Sequence, residues 1–128
     1  MPDTKYKIKQ FQYESDAWRR MLAFLLQENA ILKTRLAELV NENIVSDGFL
    51  EMAEQYQNNF IRNDQIINFV RSDIAELDKL LTRNSNENGL IIKAIARKQK
   101  KLRIELTTLE TTFNDIKIQF NNYLTETF

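Results

Sequence analysis

The sequence predicts an all-α protein: an elongated antiparallel up-down-up three-helix bundle with coiled-coil-like heptad seams. Apolar residues recur every three or four positions through three long segments, which is the spacing of one face of a helix. The 128 residues include only two glycines and one proline, so few residues interrupt a helix. None of the three segments has the period-two alternation that a half-buried strand needs.

The two glycines divide the chain into these segments. Gly48 closes the turn-forming stretch 46–48, and Gly89 closes the asparagine-rich stretch 84–89. Residues of these types favour turns and helix caps. We therefore expect helices at about 14–45, 48–83 and 89–124, all within one bundle over 14–128. Because the turns between them are short, consecutive helices are expected to lie antiparallel.

Each segment contains a seam, defined here as a run of residues spaced by alternating steps of three and four. The first seam comprises Trp18, Leu22, Leu25, Asn29, Leu32, Leu36, Leu39 and Asn43. The second comprises Phe49, Ala53, Tyr56, Phe60, Asn63, Ile67, Val70, Ile74, Leu77 and Leu81. The third comprises Ile92, Ile95, Gln99, Leu102, Leu106, Leu109, Phe113, Ile116, Phe120 and Tyr123. A repeat averaging 3.5 residues indicates helices packed at shallow angles, so we predict that the seams form the core.

Residues 1–13 allow two interpretations. Ile8, Phe11 and Ser15 continue the first seam backwards from Trp18, which favours a helical extension. The alternation of residue types over 5–9 instead fits an extended arm packed on the bundle. The sequence leaves both interpretations open.

Polar residues interrupt the seams and predict a register. If the first two helices pair about their connecting turn, Asn29 and Asn63 fall in one layer. A buried Asn pair finds its partners only in the correct register, so it would set the alignment at some cost in stability. The alternative is that one or both side chains lie at the wet edge of the seam.

The same reasoning predicts a second polar layer near one end of the bundle. It places Gln99 level with Asp73 and with Arg19 or Arg20. We interpret this layer as a device for register and solubility, and we prefer that interpretation to a ligand site.

Composition excludes several function classes. The chain has no cysteine and no histidine, which removes disulfide frameworks, thiolate nucleophiles, histidine-based metal sites and Ser–His–Asp triads. The sequence also contains no glycine-rich phosphate loop. We expect a non-catalytic protein with no cofactor, no metal site and no small-molecule substrate.

The longest apolar run, at 21–26, is too short for a membrane segment. A signal peptide needs a longer apolar region, and a membrane span needs about 20 apolar residues. We therefore expect no membrane association and a cytoplasmic location.

Charge is balanced overall but is distributed unevenly. The formal net charge is zero, whereas residues 89–128 carry seven basic and four acidic groups. A candidate polyanion contact on the third helix comprises Lys93, Arg97, Lys100 and Lys101. Such a stripe could contact phosphates, but no aromatic residue is interleaved with it for base stacking. We favour a solvated face balanced by the acidic segment 46–88 and keep nucleic-acid or polyanion binding through 93–103 as the alternative function.

Apolar residues outside the seams predict a second buried face. This candidate interface comprises Phe24, Ile31, Ile66, Phe69, Leu80, Ile104 and Ile118. Contact with two neighbouring helices would explain why Phe24 and Ile66 are apolar. It explains the apolar character of Phe69, Ile104 and Ile118 poorly. We therefore predict self-association, with a dimer favoured. The predicted function is a helical protein-interaction or oligomerisation module that acts through apolar helix faces.

Overall fold

The described residues form a three-helix bundle, as the sequence predicts. The structure, a computed structural model, describes residues 2–42, 48–83 and 89–128. These residues form α1 (Pro2–Asn41), α2 (Phe49–Arg83) and α3 (Gly89–Thr127). At 1.5 Å per residue the helices are about 52–60 Å long, so the bundle is elongated.

The helix ends differ from the predicted ones by a few residues, except at the start of α1. That helix begins at Pro2, so residues 2–13 are part of it. Proline suits the first helical position because the N–H it lacks would have no partner within the helix. At its other end, α1 stops at Asn41, and Asn43 of the predicted first seam lies outside the described residues.

Gly48 is the backbone feature that starts α2. Its φ is 76°, in the left-handed region that glycine enters without steric cost. Its carbonyl accepts a hydrogen bond of 3.1 Å from the N–H of Met52, which opens the first turn of the helix. The glycine that marks a segment boundary in the sequence therefore provides the left-handed backbone conformation that precedes α2.

Ion pairs show that α1 and α2 run antiparallel. Arg19 pairs with Asp78, and Lys33 pairs with Asp64. As the residue number rises along α1, the number of the partner falls along α2, which defines the antiparallel direction.

The same test shows that α1 and α3 run parallel. Glu14 contacts Arg103, and Glu28 contacts Lys117 at 2.9 Å. Both pairs join residues separated by 89 positions, so residue numbers rise in the same direction along the two helices. The bundle is therefore up-down-up.

The seams predicted from the sequence supply most of the core. All ten residues of the second seam are buried in α2. The first seam is buried from Trp18 to Leu39, and Ile8, Phe11 and Ser15 continue it toward the start of α1. In α3 most of the seam is buried, while Ile92, Ile116 and Tyr123 are half-buried.

An aromatic cluster joins α2 and α3 near the start of α2. The ring centroid of Tyr56 lies 5.0 Å from that of Phe120 and 5.8 Å from that of Tyr123. Phe60 meets Phe120 edge to face at 5.2 Å, a geometry that aromatic pairs prefer. Burial, together with the nearby Tyr123, raises the pKa of the Tyr56 phenol above its ordinary value.

Candidate interaction surfaces

A cluster of buried and half-buried polar groups joins the middle of α1 to α2. Asn29 is 0 % exposed, and its amide nitrogen donates hydrogen bonds of 2.8 Å to the carbonyl of Phe60 and to Oδ1 of Asp64. Its Oδ1 accepts a hydrogen bond of 3.3 Å from the amide of Asn63. Lys33 pairs with the other carboxylate oxygen of Asp64. We call these groups the amide cluster.

The amide cluster is suited to fixing the register of α1 against α2. A slip of one helical turn would take Asn29 away from both of its acceptors. Each buried donor left unpaired would cost about 1–3 kcal/mol. The Asn29–Asn63 contact follows from the predicted pairing, whereas the partners Asp64 and Lys33 were not foreseen from the sequence.

A second polar cluster joins α1 to α3. The carboxylate of Glu14 accepts hydrogen bonds from Nε and Nη2 of Arg103, at 2.7 and 2.9 Å. It also accepts a hydrogen bond of 3.1 Å from the amide of Gln99, which is buried. The hydrogen bond with Glu14 raises the pKa of Arg103 above its ordinary value. Glu14 therefore satisfies Gln99, the buried polar residue of the third seam.

The second polar layer has different neighbours from those the sequence suggests. Gln99 bonds to Glu14, while Arg19 pairs with Asp78 and with Asp16. Pairing the helices about their connecting turns assumes that they are level, and it ignores how far each helix is shifted along its neighbour. It also cannot show which side of α3 faces α1.

Asp73, the remaining residue of that layer, lies elsewhere. It lines a cavity of about 350 Å³ between α2 and α3, together with Arg97, Lys98 and Lys101. The predicted layer is thus divided among three edges: Gln99 at the α1/α3 edge, Arg19 at the α1/α2 edge and Asp73 at the α2/α3 edge.

A strongly apolar groove runs along the outer side of the α2/α3 contact, and we call it the α2/α3 groove. Its volume is about 290 Å³, and it is lined by Asn63, Ile66, Phe69, Val70, Ile104, Glu105, Thr108, Leu109 and Thr112. Phe69 is 65 % exposed and Ile104 is 61 % exposed. Three members of the candidate interface, Ile66, Phe69 and Ile104, are therefore brought together here.

The other members of the candidate interface are separated from this groove. Phe24 and Ile31 are exposed on α1, and Ile118 is exposed toward the end of α3. Leu80 is half-buried and packs against the core. It is the least exposed member of the candidate interface, because α2 meets two neighbouring helices and its buried arc is wide.

A second groove runs between α1 and α2. Its volume is about 380 Å³, and its apolar lining includes Leu36, Val40 and Leu50. Lys33 and Glu54 also line it, so charged groups border the apolar floor. Charged groups therefore border both grooves beside α2: Lys33 and Glu54 here, and Glu105 at the α2/α3 groove.

The basic stretch of α3 is a surface feature. All four residues of the candidate polyanion contact are exposed: Lys93, Arg97, Lys100 and Lys101. Nζ of Lys101 lies 4.0 Å from a carboxylate oxygen of Glu105. Asp73 shares a cavity with Arg97 and Lys101, so acidic groups lie among the cations.

Neither a membrane-spanning helix nor a cluster of metal ligands occurs among the described residues. In residues 2–42, 48–83 and 89–128, no helix combines the length and apolar character needed to cross a membrane. Over the same ranges, no group of three or more acidic side chains is placed to hold a metal ion.

The fold and surface define the class of the protein, a three-helix bundle with an apolar groove on one side. The chain matches no protein-family profile, no curated protein and no solved structure to a significant degree. What the protein does is therefore inferred from its own geometry.

Proposed function

We propose that the protein is a non-catalytic helical interaction module that self-associates through apolar helix faces, with a dimer as the favoured assembly. The observation that supports this most is the α2/α3 groove. Two large apolar side chains, Phe69 and Ile104, lie together there and are mostly exposed. Contiguous exposed apolar surface is typical of interaction sites in proteins when it exceeds a few hundred Å².

A helical partner suits the shape of this groove. The α2/α3 groove lies between two neighbouring helices. A further helix packed along it would convert the local three-helix packing into four-helix packing. Such packing would have the shallow crossing angles of a coiled coil. We propose the cytoplasm as the place where the module works, a location with which the absence of cysteine is consistent.

Sedimentation velocity tests this proposal. We expect wild-type protein to sediment with a mass near twice 15.2 kDa. The variant carrying both Phe69→Glu and Ile104→Glu should shift toward the monomer while keeping its helical circular dichroism. A variant carrying Phe24→Glu and Ile31→Glu adds the same charge on α1 and should remain dimeric. A wild-type protein that stays monomeric at every concentration would contradict the proposal.

A second candidate function is polyanion binding through the basic stretch. In the part of the chain that the structure describes, Lys93, Arg97 and Lys100 are exposed and form no ion pair. Binding of duplex DNA or heparin would then fall steeply with added salt and with the four basic residues changed to Glu. Absent or salt-insensitive binding would remove this candidate, which we rank second because Asp73 and Glu105 lie among the cations.

A further inference from the structure

A second set of regularly spaced residues runs along the surface of α3. These residues follow one another at steps of four and three, and all are exposed: Arg97, Lys101, Ile104, Thr108, Thr111, Asp115 and Ile118. We call this set the outer stripe. Ile104 and Thr108 line the α2/α3 groove, and Arg97 and Lys101 line the cavity that continues along the same contact. The outer stripe therefore has the spacing of a helix-packing seam but faces outward.

Charge is ordered along the outer stripe. Arg97 and Lys101 lie at its start, threonines lie at its centre, and Asp115 lies beyond them. Within the described residues neither Arg97 nor Asp115 forms an ion pair, and Lys101 reaches only Glu105, at 4.0 Å. The stripe thus presents positive charge before its centre and negative charge after it.

This order of charge is complementary to a second copy of the stripe that runs in the opposite direction. An antiparallel copy of the same stripe would place cations level with anions. A parallel copy would place Lys101 level with Lys101 and Asp115 level with Asp115, and like charges at such a contact repel. A partner identical to the chain and running antiparallel is therefore the complementary occupant.

We propose that a second copy of this chain packs antiparallel along the outer stripe, with the two-fold axis at Thr108. This proposal rests on the proposed function and specifies its surface, partner and direction. Lys101, seven residues before Thr108, then faces Asp115 of the second copy, seven residues after it. Ile104 packs near the second copy's Thr111, and Phe69 of α2 flanks the contact.

The size of the face agrees with a dimer interface. From Arg97 to Ile118 the stripe is about 32 Å long, and two adjacent helices are about 20 Å wide. Their product, about 600 Å² per copy, is an upper limit on the projected area of this face, and it reaches the lower end of the range for specific protein interfaces.

A charge-exchange experiment tests the pairing of Lys101 with Asp115. Lys101→Glu and Asp115→Lys should each raise the dimer dissociation constant on the order of tenfold, because the two-fold axis repeats every contact. The double variant should return to within a few-fold of wild type. Glu110→Lys is the control, since this exposed acidic residue lies on α3 outside the outer stripe and should change the constant about twofold or less.

Cysteine cross-linking locates the axis independently. The chain contains no cysteine, so a single introduced thiol is the only one present. A disulfide needs Cα atoms about 4.4–6.8 Å apart, a condition that Thr108→Cys meets only if two copies of this position face each other. Thr107→Cys is the control, because it introduces the same thiol about 100° around the helix. We expect covalent dimer from Thr108→Cys at least tenfold faster than from Thr107→Cys.

The outcomes separate this proposal from the proposed function. If the protein sediments as a dimer but the two thiols cross-link equally, or the double charge variant stays weak, the antiparallel stripe is wrong and the interaction module stands. A wild-type monomer would overturn both. Fast cross-linking at position 108 together with restoration by the double variant would support the stripe.

Discussion

The two contacts that α2 makes with its neighbours are built from different chemistry. Toward α1, the amide cluster centred on Asn29 supplies directional hydrogen bonds that exist in one register. Toward α3, the aromatic cluster around Phe120 supplies buried apolar area and edge-to-face ring contacts. Hydrogen bonds lose their partners on a small slip, whereas packed rings can adjust to one. Alignment is therefore specified mainly on the α1 side of α2, and bulk stability comes mainly from the α3 side.

The largest effect is expected from the aromatic side. Phe120 is 0 % exposed and contacts both Tyr56 and Phe60. Phe120→Ala should lower the free energy of unfolding by about 3–5 kcal/mol, because it removes apolar area and leaves a cavity. Urea denaturation followed by circular dichroism measures this. Phe24→Ala, at a mostly exposed site, should cost about 0.5 kcal/mol or less; equal losses at the two sites would contradict the packing described.

An intermediate effect is expected from the amide cluster. Asn29→Leu should lower the free energy of unfolding by about 1–3 kcal/mol, since it leaves the buried amide of Asn63 without its acceptor. The double variant with Asn63→Leu replaces both polar groups and should recover most of that loss while weakening register specificity. A double-mutant cycle on urea midpoints measures the coupling. Strictly additive losses would show that the two amides do not act together.

A smaller effect of opposite sign is expected at the start of α1. Ser15 is 0 % exposed, and its hydroxyl has no hydrogen-bond partner among the described residues. Ser15→Ala should raise the free energy of unfolding by about 1 kcal/mol, because it removes an unsatisfied buried group. Ser72→Ala on exposed α2 surface controls for helix propensity, which contributes about 0.5 kcal/mol. A loss of stability from Ser15→Ala would mean that the hydroxyl is satisfied in solution.

The smallest effect at neutral pH comes from Tyr56. Burial raises the pKa of its phenol above the ordinary value of 10.0. Above that pH the unfolded chain loses this proton more readily than the folded one, so stability should fall as pH rises beyond 10.0. Tyr56→Phe should flatten part of the decline in a series of alkaline denaturation curves. Parallel curves for the two proteins would rule out this contribution.

The sequence predicts the core well because core positions depend only on helical period. Every residue of the second seam, from Phe49 to Leu81, faces inward, as expected from steps of three and four. The buried Asn29–Asn63 contact follows from the same period and a short turn.

Residues beside the seams could not be placed in this way. Glu14 and Asp64 flank seam positions, and their contacts depend on helix rotation and stagger, which periodicity does not fix. The partial burial of Leu80 could not be predicted from period either, because it depends on how wide an arc of α2 the neighbouring helices cover. In the outer stripe, the sequence pattern marks Ile104 and Ile118 as apolar residues outside the seams. The stripe also includes Thr108, Thr111 and Asp115, which are polar and which the pattern does not distinguish from other surface residues.

The face bordered by the α2/α3 groove and the outer stripe is proposed to bind a second copy of the chain. Amide chemical shifts of isotope-labelled wild-type protein over a dilution series test this proposal without any substitution. We expect concentration-dependent shifts along 97–118 of α3 and around Ile66 and Phe69 of α2. Shifts centred instead on Phe24 and Ile31 of α1, or spectra that do not change with concentration, would contradict it.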